Sequence, residues 1–305
     1  MVGTSCSSSD LAFNPRSVGF SLEFGDGFDA GARDRRRDIT LNGASPVIVP
    51  VKIRAKRSNG SVDTSFNRFV RVNVKPGTVV SVTGDGAEGR NVKLADGEAT
   101  VNVAIVGSFG DARIVAEDLG YEPVSPTADP PPACSDGKDN NGNGFIDFPA
   151  DPGCEFANDN TEAGGSYSAG ATPSIYFKLP RIADVRGAST GGSTTPFKSQ
   201  QVSMDTGFDQ DTDTQKFDTI VTRISGSGFY ATDVDDRRGY SSLFAFNFNA
   251  PPGMRVCDRL RALSGTATEF YGSIQLSYPT WTVEAWDPAK RECGVPEPTI
   301  LTVAN

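Results

Sequence analysis

The chain has 305 residues, a formal net charge of −9, 33 glycines, 20 prolines and no histidine. The missing histidine excludes Ser-His-Asp and Cys-His nucleophile systems and any His-ligated zinc, while carboxylate-pair or metal-assisted chemistry stays open. A hydrophobic fraction of 37% supports real cores, the glycine and proline content points to turns and strands, and the length predicts two domains of roughly 100–150 residues each.

Residues 1–45 read as a tail and an irregular lead-in, in which Phe20, Leu22, Phe24 and Phe28 alternate loosely with small and acidic residues. Arg33, Arg35, Arg36 and Arg37 form a basic cluster, and the neighbouring Asp34 and Asp38 predict a solvated turn. From Val47 the period changes to two: Val47, Val49, Val51, Ile53 and Ala55 alternate with other residues, and Ser58-Asn59-Gly60 signals a turn. Further alternating runs near 69–74, 79–82, 92–94, 99–106 and 112–116 are punctuated by glycine-containing turns. Short strands at this spacing predict a β-sandwich over 46–120.

Five prolines between 121 and 133 predict a stiff linker. The next stretch places Asp139, Asn141, Asn143 and Asp147 at calcium-loop spacing, with Gly144 at the sharp turn and the Phe145 carbonyl at the seventh position. The twelfth position is Ala150, so Asp151 or Asp136 must replace the usual bidentate glutamate. Prolines on both sides exclude flanking helices. Residues 121–165 carry nine acids and one base, a concentration of charge that a cation would relieve. A polar linker without metal is the alternative. Cys134 and Cys154 at the ends suggest a disulfide, worth roughly 3 kcal/mol in the chain-entropy model. Cys257 and Cys293 could pair late in the chain, leaving Cys6 over; the four later cysteines allow three connectivities, which the sequence alone does not choose between. This cysteine usage predicts an oxidising, extracytoplasmic compartment.

Residues 155–173 read as a second, polar linker that would make the loop a strut between two modules. The second module, 174–305, has a clear strand at 218–224, a hairpin turn at 225–228 and a returning strand at 229–233. Alternation predicts that Phe229, Tyr230, Phe244, Phe246 and Phe248 face a barrel core. Residues 180–305 hold 12 bases and 15 acids, so a nucleic-acid face is not expected. Arg237, Arg238, Arg255, Arg259 and Arg261 are expected to pair with Asp235, Asp236 and Asp258 at the surface. Asp233, Asp235 and Asp236 are the clustered carboxylates that a histidine-free hydrolase would need, and surface solvation accounts for them better.

Four resemblances add expectations. Met1-Val2-Gly3-Thr4-Ser5-Cys6 followed by serines resembles the end of a bacterial lipoprotein signal, which implies lipidation of Cys6 and an outer-membrane or cell-surface location. The 134–154 stretch resembles thrombospondin type 3 repeats and related loops of bacterial surface proteins, which implies calcium held by Asp139, Asn141, Asn143, the Phe145 carbonyl, Asp147 and Asp151. The run from Val51 through Val70-Arg71-Val72 and Gly97-Glu98-Ala99 to Ala116-Glu117-Asp118 resembles bacterial Ig-like domains. Ile182-Ala183-Asp184-Val185-Arg186-Gly187, Gly228-Phe229-Tyr230 and Cys257-Asp258-Arg259-Leu260-Arg261 resemble the OB-fold domains attached to secreted bacterial nucleases, which implies a barrel able to bind single strands. The expectation is therefore an all-β, non-enzymatic surface protein: an Ig-like β-sandwich, a disulfide-closed calcium loop and an OB-like β-barrel. It would act structurally or adhesively with other envelope proteins or with itself, touching membrane only through a lipid at Cys6. The alternative is a barrel module that binds extracellular nucleic acid or glycan.

Overall fold

The structure, a computed structural model, describes residues 18–41, 45–165, 167–209 and 212–297. Cys6 and its lipidation lie outside the described residues. The chain divides into two compact units, the first ending at Phe177 and the second starting at Lys178. Among the described residues the one α-helix, α1, is the single turn Ile182–Val185, and no helix is long and apolar enough to cross a membrane. The all-β expectation is met.

The first unit contains β1 (Gly19–Phe24), β2 (Val47–Lys56), β3 (Phe69–Lys75), β4 (Thr78–Gly84), β5 (Ala87–Glu88), β6 (Asn91–Lys93), β7 (Glu98–Val106), β8 (Asp111–Asp118), β9 (Gly170–Ala171) and β10 (Ile175–Tyr176). One sheet runs β1-β2-β7-β4; the other runs β10-β8-β3-β6-β5, with β9 also paired to β8. The period of two sends Val49, Val51, Ile53 and Ala55 inward from β2, and Val70, Val72 and Val74 inward from β3, into one hydrophobic cluster. Register supports the same faces, with Val49 opposite Val103 and Val51 opposite Val101.

Three sequence expectations change here. Part of the lead-in is a strand: β1 pairs with β2 along its whole length and buries Phe20 and Leu22. The arginine cluster keeps the expected solvated turn, Ala32 and Arg35 exchanging backbone bonds with residues 33–35 exposed, but ion-pairs with other acids than the neighbours expected, Arg35 with Asp29 and Arg36 with Asp111. Segment 121–173 is not a strut between modules. β9, near its end, and β10, just after it, return to pair with β8, which precedes it. An open sheet edge is thereby covered, and the segment is an excursion within the first unit.

Where that excursion returns, Tyr167 stacks on Phe20 at 5.6 Å and meets Phe66 edge-on at 4.8 Å. Its hydroxyl donates to the Asp63 carboxylate at 2.5 Å. Burial, then this bond, pushes the Tyr167 phenol from 10.0 up to about 12. The folded state therefore holds this proton more tightly than the unfolded chain, so this group's contribution to stability is constant below pH 10.0 and falls as pH rises toward about 12. Tyr167→Phe is expected to cost about 1 kcal/mol at neutral pH and to lessen the alkaline loss, as read from denaturant melts at a series of pH values.

The second unit contains β11 (Gln201–Met204), β12 (Phe208–Asp209), β13 (Thr214–Gln215), β14 (Thr219–Ser225), β15 (Gly228–Asp233), β16 (Ser242–Phe246), β17 (Arg259–Phe270) and β18 (Ser273–Glu284). Pairing runs β14-β15-β16-β18-β17 and returns from β17 to β14, closing a five-stranded barrel with β16 and β18 parallel. β11 adds to β17. Phe229, Ala231, Leu243, Ala245, Leu260 and Leu276 are buried. Cys257 and Cys293 form a disulfide with Cα atoms 4.9 Å apart.

Of the five aromatics expected in the barrel core, Phe229 alone is there. Tyr230, Phe244 and Phe246 are half-buried on the opposite face, and Phe248 is exposed. Strict alternation cannot send Phe229 and Tyr230 the same way, and Leu243 and Ala245 already occupy the inner positions of β16.

Candidate metal centre

The excursion is held at its base by backbone bonds from Val124 to Asn158 and from Asn160 to Glu122. Tyr121 stacks on Phe69 at 5.9 Å and donates its hydroxyl to Asn158 at 3.2 Å. Asp159, fully buried, accepts the backbone N–H groups of Glu122, Thr161 and Glu155. Burial pushes its carboxyl above the ordinary value. Its position accounts for it as a cap on backbone donors, a cost that these bonds offset. Cys134 and Cys154 form a disulfide, Cα atoms 5.8 Å apart, across a sequence separation of 20.

Inside this frame the loop wraps around its own side chains. Asp139 accepts the backbone N–H groups of Gly142, Asn143 and Gly144 at 2.7, 3.1 and 2.8 Å. The Gly144 amide, followed by the others, holds its carboxyl below the usual carboxylate range. Asn141 Oδ1 accepts from Asn143 N, and Asn143 Oδ1 from Phe145 N. The alternation that resembles a calcium loop is therefore also a series of side-chain-to-backbone turns. Gly142 and Gly144 adopt φ of 75° and 88°, a region that favours glycine. Asp136 turns to the Lys138 backbone and ammonium group. The Phe145 side chain is exposed.

The buried acid oxygens lie deeper. Asp151 is 1% exposed and Glu162 3%. Their carboxylate oxygens and the Cys154 sulfur lie within 4.8 Å of one another. That sulfur is in the disulfide and offers no thiolate, which leaves two carboxylates. Asn141 and Asn143 donate their amide N–H groups to Asp151 at 3.2 and 3.1 Å. Glu162 accepts from Asn140 N at 2.5 Å and from Asp147 N at 3.4 Å. Asp147 bonds Gly137 N through Oδ2, but its buried Oδ1 has no partner. Among the described residues no lysine or arginine pairs with Asp147, Asp151 or Glu162.

The donors are oxygens, which suit a hard cation such as calcium, and histidine is absent. The structure brings Asp151 to a second carboxylate that sequence spacing did not single out. Glu162 lies beyond the disulfide, and its one visible signal was membership of the acidic run. It reaches the loop because Gly153 passes against its backbone: a Cβ on Gly153 would lie 1.8 Å from the Glu162 carbonyl oxygen.

In the second unit, the hydrolase candidates Asp233 and Asp236 are buried and bound to guanidinium groups, so surface solvation does not describe them. Arg181 reaches Asp233 through Nε and Nη2 at 2.6 and 2.5 Å and Asp236 at 3.5 Å. Arg238 links Asp236 to Asp184. Asp235 accepts from Asp218 N. Of the other arginines expected to pair with Asp235, Asp236 or Asp258, Arg255 meets Asp258 as expected, while Arg259 goes to Asp218 and Arg261 to Asp213. No protein-family model and no characterised protein sequence matches the chain.

Proposed function

We propose that this chain is a non-enzymatic surface protein of an extracytoplasmic compartment, whose first unit is stiffened by calcium and which serves a structural or adhesive role in an envelope assembly. The observation that carries the calcium reading is the buried Asp151–Glu162 pair, with no basic side chain among the described residues to neutralise it, in a loop where a buried Asp147 oxygen also lacks a partner. Asp151 and Glu162 would hold the ion, with Asp147, Asn141, Asn143 and Asp139 as the further oxygen donors of the same loop. The ion would supply the charge neutralisation that the two asparagine amides now provide only in part. Two disulfides support an oxidising compartment. Lipidation of Cys6 would anchor the chain to an outer membrane or cell surface, and other envelope proteins or further copies would be its partners.

The Ig-like reading is supported by strand order: β1-β2-β7-β4 and β10-β8-β3 follow the A-B-E-D and G-F-C sheets, with β5 and β6 as an added hairpin. The OB-like reading is supported by the five-stranded closure of the second unit.

Calorimetric titration of the disulfide-intact chain tests the proposal. Saturable binding of calcium and much weaker binding of magnesium are expected; no heat with calcium would overturn it. Gly153→Ala is expected to push Glu162 off the loop and weaken calcium binding about tenfold, read in the same titration. A second reading, a ligand-binding barrel, is favoured by one observation: the outward-facing aromatics of β15 and β16.

A further inference from the structure

The outer face of the barrel carries a continuous row of rings. Tyr230 lies 4.9 Å from Phe244, Phe244 lies 6.4 Å from Phe246, Phe246 lies 4.6 Å from Phe248, and Phe248 lies 5.7 Å from Tyr278. Phe248 is 59% exposed and Tyr278 70%. Both have positive φ, 61° and 51°, a backbone region that bulky L-residues rarely occupy. Two large apolar rings are thus held in water on unfavourable backbone, where neither burial nor local conformation rewards them. Such outliers point to a use outside the fold.

The surroundings specify the chemistry. Across the strands Phe244 faces Gln275 and Phe246 faces Ser277. Beyond these stand Thr268 and Thr266 on β17. The Ser277 and Thr268 hydroxyls lie 2.8 Å apart, and the Gln275 amide reaches Ser277 at 3.4 Å. Among these facing positions the one charge is Arg223, at the β14 side, 5.8 Å from the centroid of the Tyr230 ring with which it is in register. A single-strand nucleic-acid platform needs a basic groove along its rings. This face instead pairs aromatic planes with amides and hydroxyls, the set that suits sugar rings: apolar C–H faces on the aromatics, and hydroxyl edges on the polar groups.

We infer that this strip binds an uncharged polysaccharide, with Phe248 and Tyr278 as its exposed anchors. The inference rests on the ligand-binding-barrel reading and not on calcium.

Native affinity electrophoresis of the full chain through gels containing hydroxyethylcellulose, xylan, galactomannan or a β-1,3-glucan tests it, with poly(dT) in a parallel gel shift. Retardation by at least one polysaccharide is expected, insensitive to salt and to chelator. Phe248→Ala and Tyr278→Ala should each weaken it about tenfold, as loss of one stacking ring does elsewhere. Both sites are exposed, so the variants should keep the tryptophan fluorescence of the wild type. Phe248→Tyr should restore binding. Failure of all four polysaccharides, or unchanged binding by the alanine variants, would overturn the inference. A poly(dT) shift lost in the same variants would keep a binding barrel but replace glycan with nucleic acid. A dimer in sedimentation velocity that the variants dissolve would assign the strip to a second copy instead.

Discussion

Chelating calcium is expected to lower the melting temperature of the first unit by about 5–10 °C, and Glu162→Gln to remove that dependence. An ion present at about a hundred times its dissociation constant stabilises by about 2.7 kcal/mol, and for a unit of this size each kcal/mol moves the midpoint by roughly 2–4 °C. The sign of the variant's effect without calcium is the discriminating part. Asp151 and Glu162 place buried carboxylate oxygens within 4.8 Å. Without a cation, like charges this close repel, so neutralising Glu162 should leave the chelated protein as stable as the wild type or more so. With calcium, the same change should make it less stable. If Glu162 served only to accept the Asn140 and Asp147 N–H groups, the glutamine variant would be weaker in both conditions. Scanning calorimetry of both proteins, with calcium and with chelator, reads all four midpoints.

The second large effect is expected at Arg181. Its guanidinium meets the fully buried Asp233 through two bonds and lies 4.1 Å over the Phe217 ring. Burial pushes the Asp233 carboxyl above its ordinary 3.8, against the pull of the arginine. Arg181→Ala removes the opposing charge and leaves the carboxylate buried, a change that costs about 3–5 kcal/mol in comparable settings. The pH dependence follows from the direction. A carboxyl raised in the folded state binds more protons there than in the unfolded chain, so stability falls as pH rises from 3.8 through the raised value. In the variant the value rises further and the falling window extends upward. The loss should therefore be small below pH 3.8, where both states are protonated, and full near neutrality. Asp233→Asn in the same chain should recover much of the neutral-pH loss. Urea melts followed by tryptophan fluorescence measure this unit directly, because both tryptophans, Trp281 and Trp286, lie in it.

Particular residues show how far the sequence could be read. The β2 valines at 49 and 51 alternate cleanly, and their burial follows from that period. The turn at 225–228 closes the β14–β15 hairpin as its residues predict. The spacing of Asp139, Asn141 and Asn143 indicates a tight loop because it is a local property of a few adjacent residues. Its chemistry was less legible. Those oxygens face the loop's own amides, while the convergent carboxylate comes from Glu162, outside the disulfide-closed segment.

All-β character, a turn-rich acidic segment bounded by two cysteines and the lack of histidine chemistry follow from residue types and short spacings, so they could be read before folding, whereas the cysteine connectivity could not. Long-range pairing decided the rest. A period of two separates a strand into two faces without saying which is inner, so the β16 aromatics went outward once Leu243 and Ala245 filled the barrel. Nothing local says that β9 and β10 come back to β8, or that Arg181 meets Asp233. Such contacts depend on which sheet edges and buried charges find partners across many residues, a condition met only when the whole unit closes.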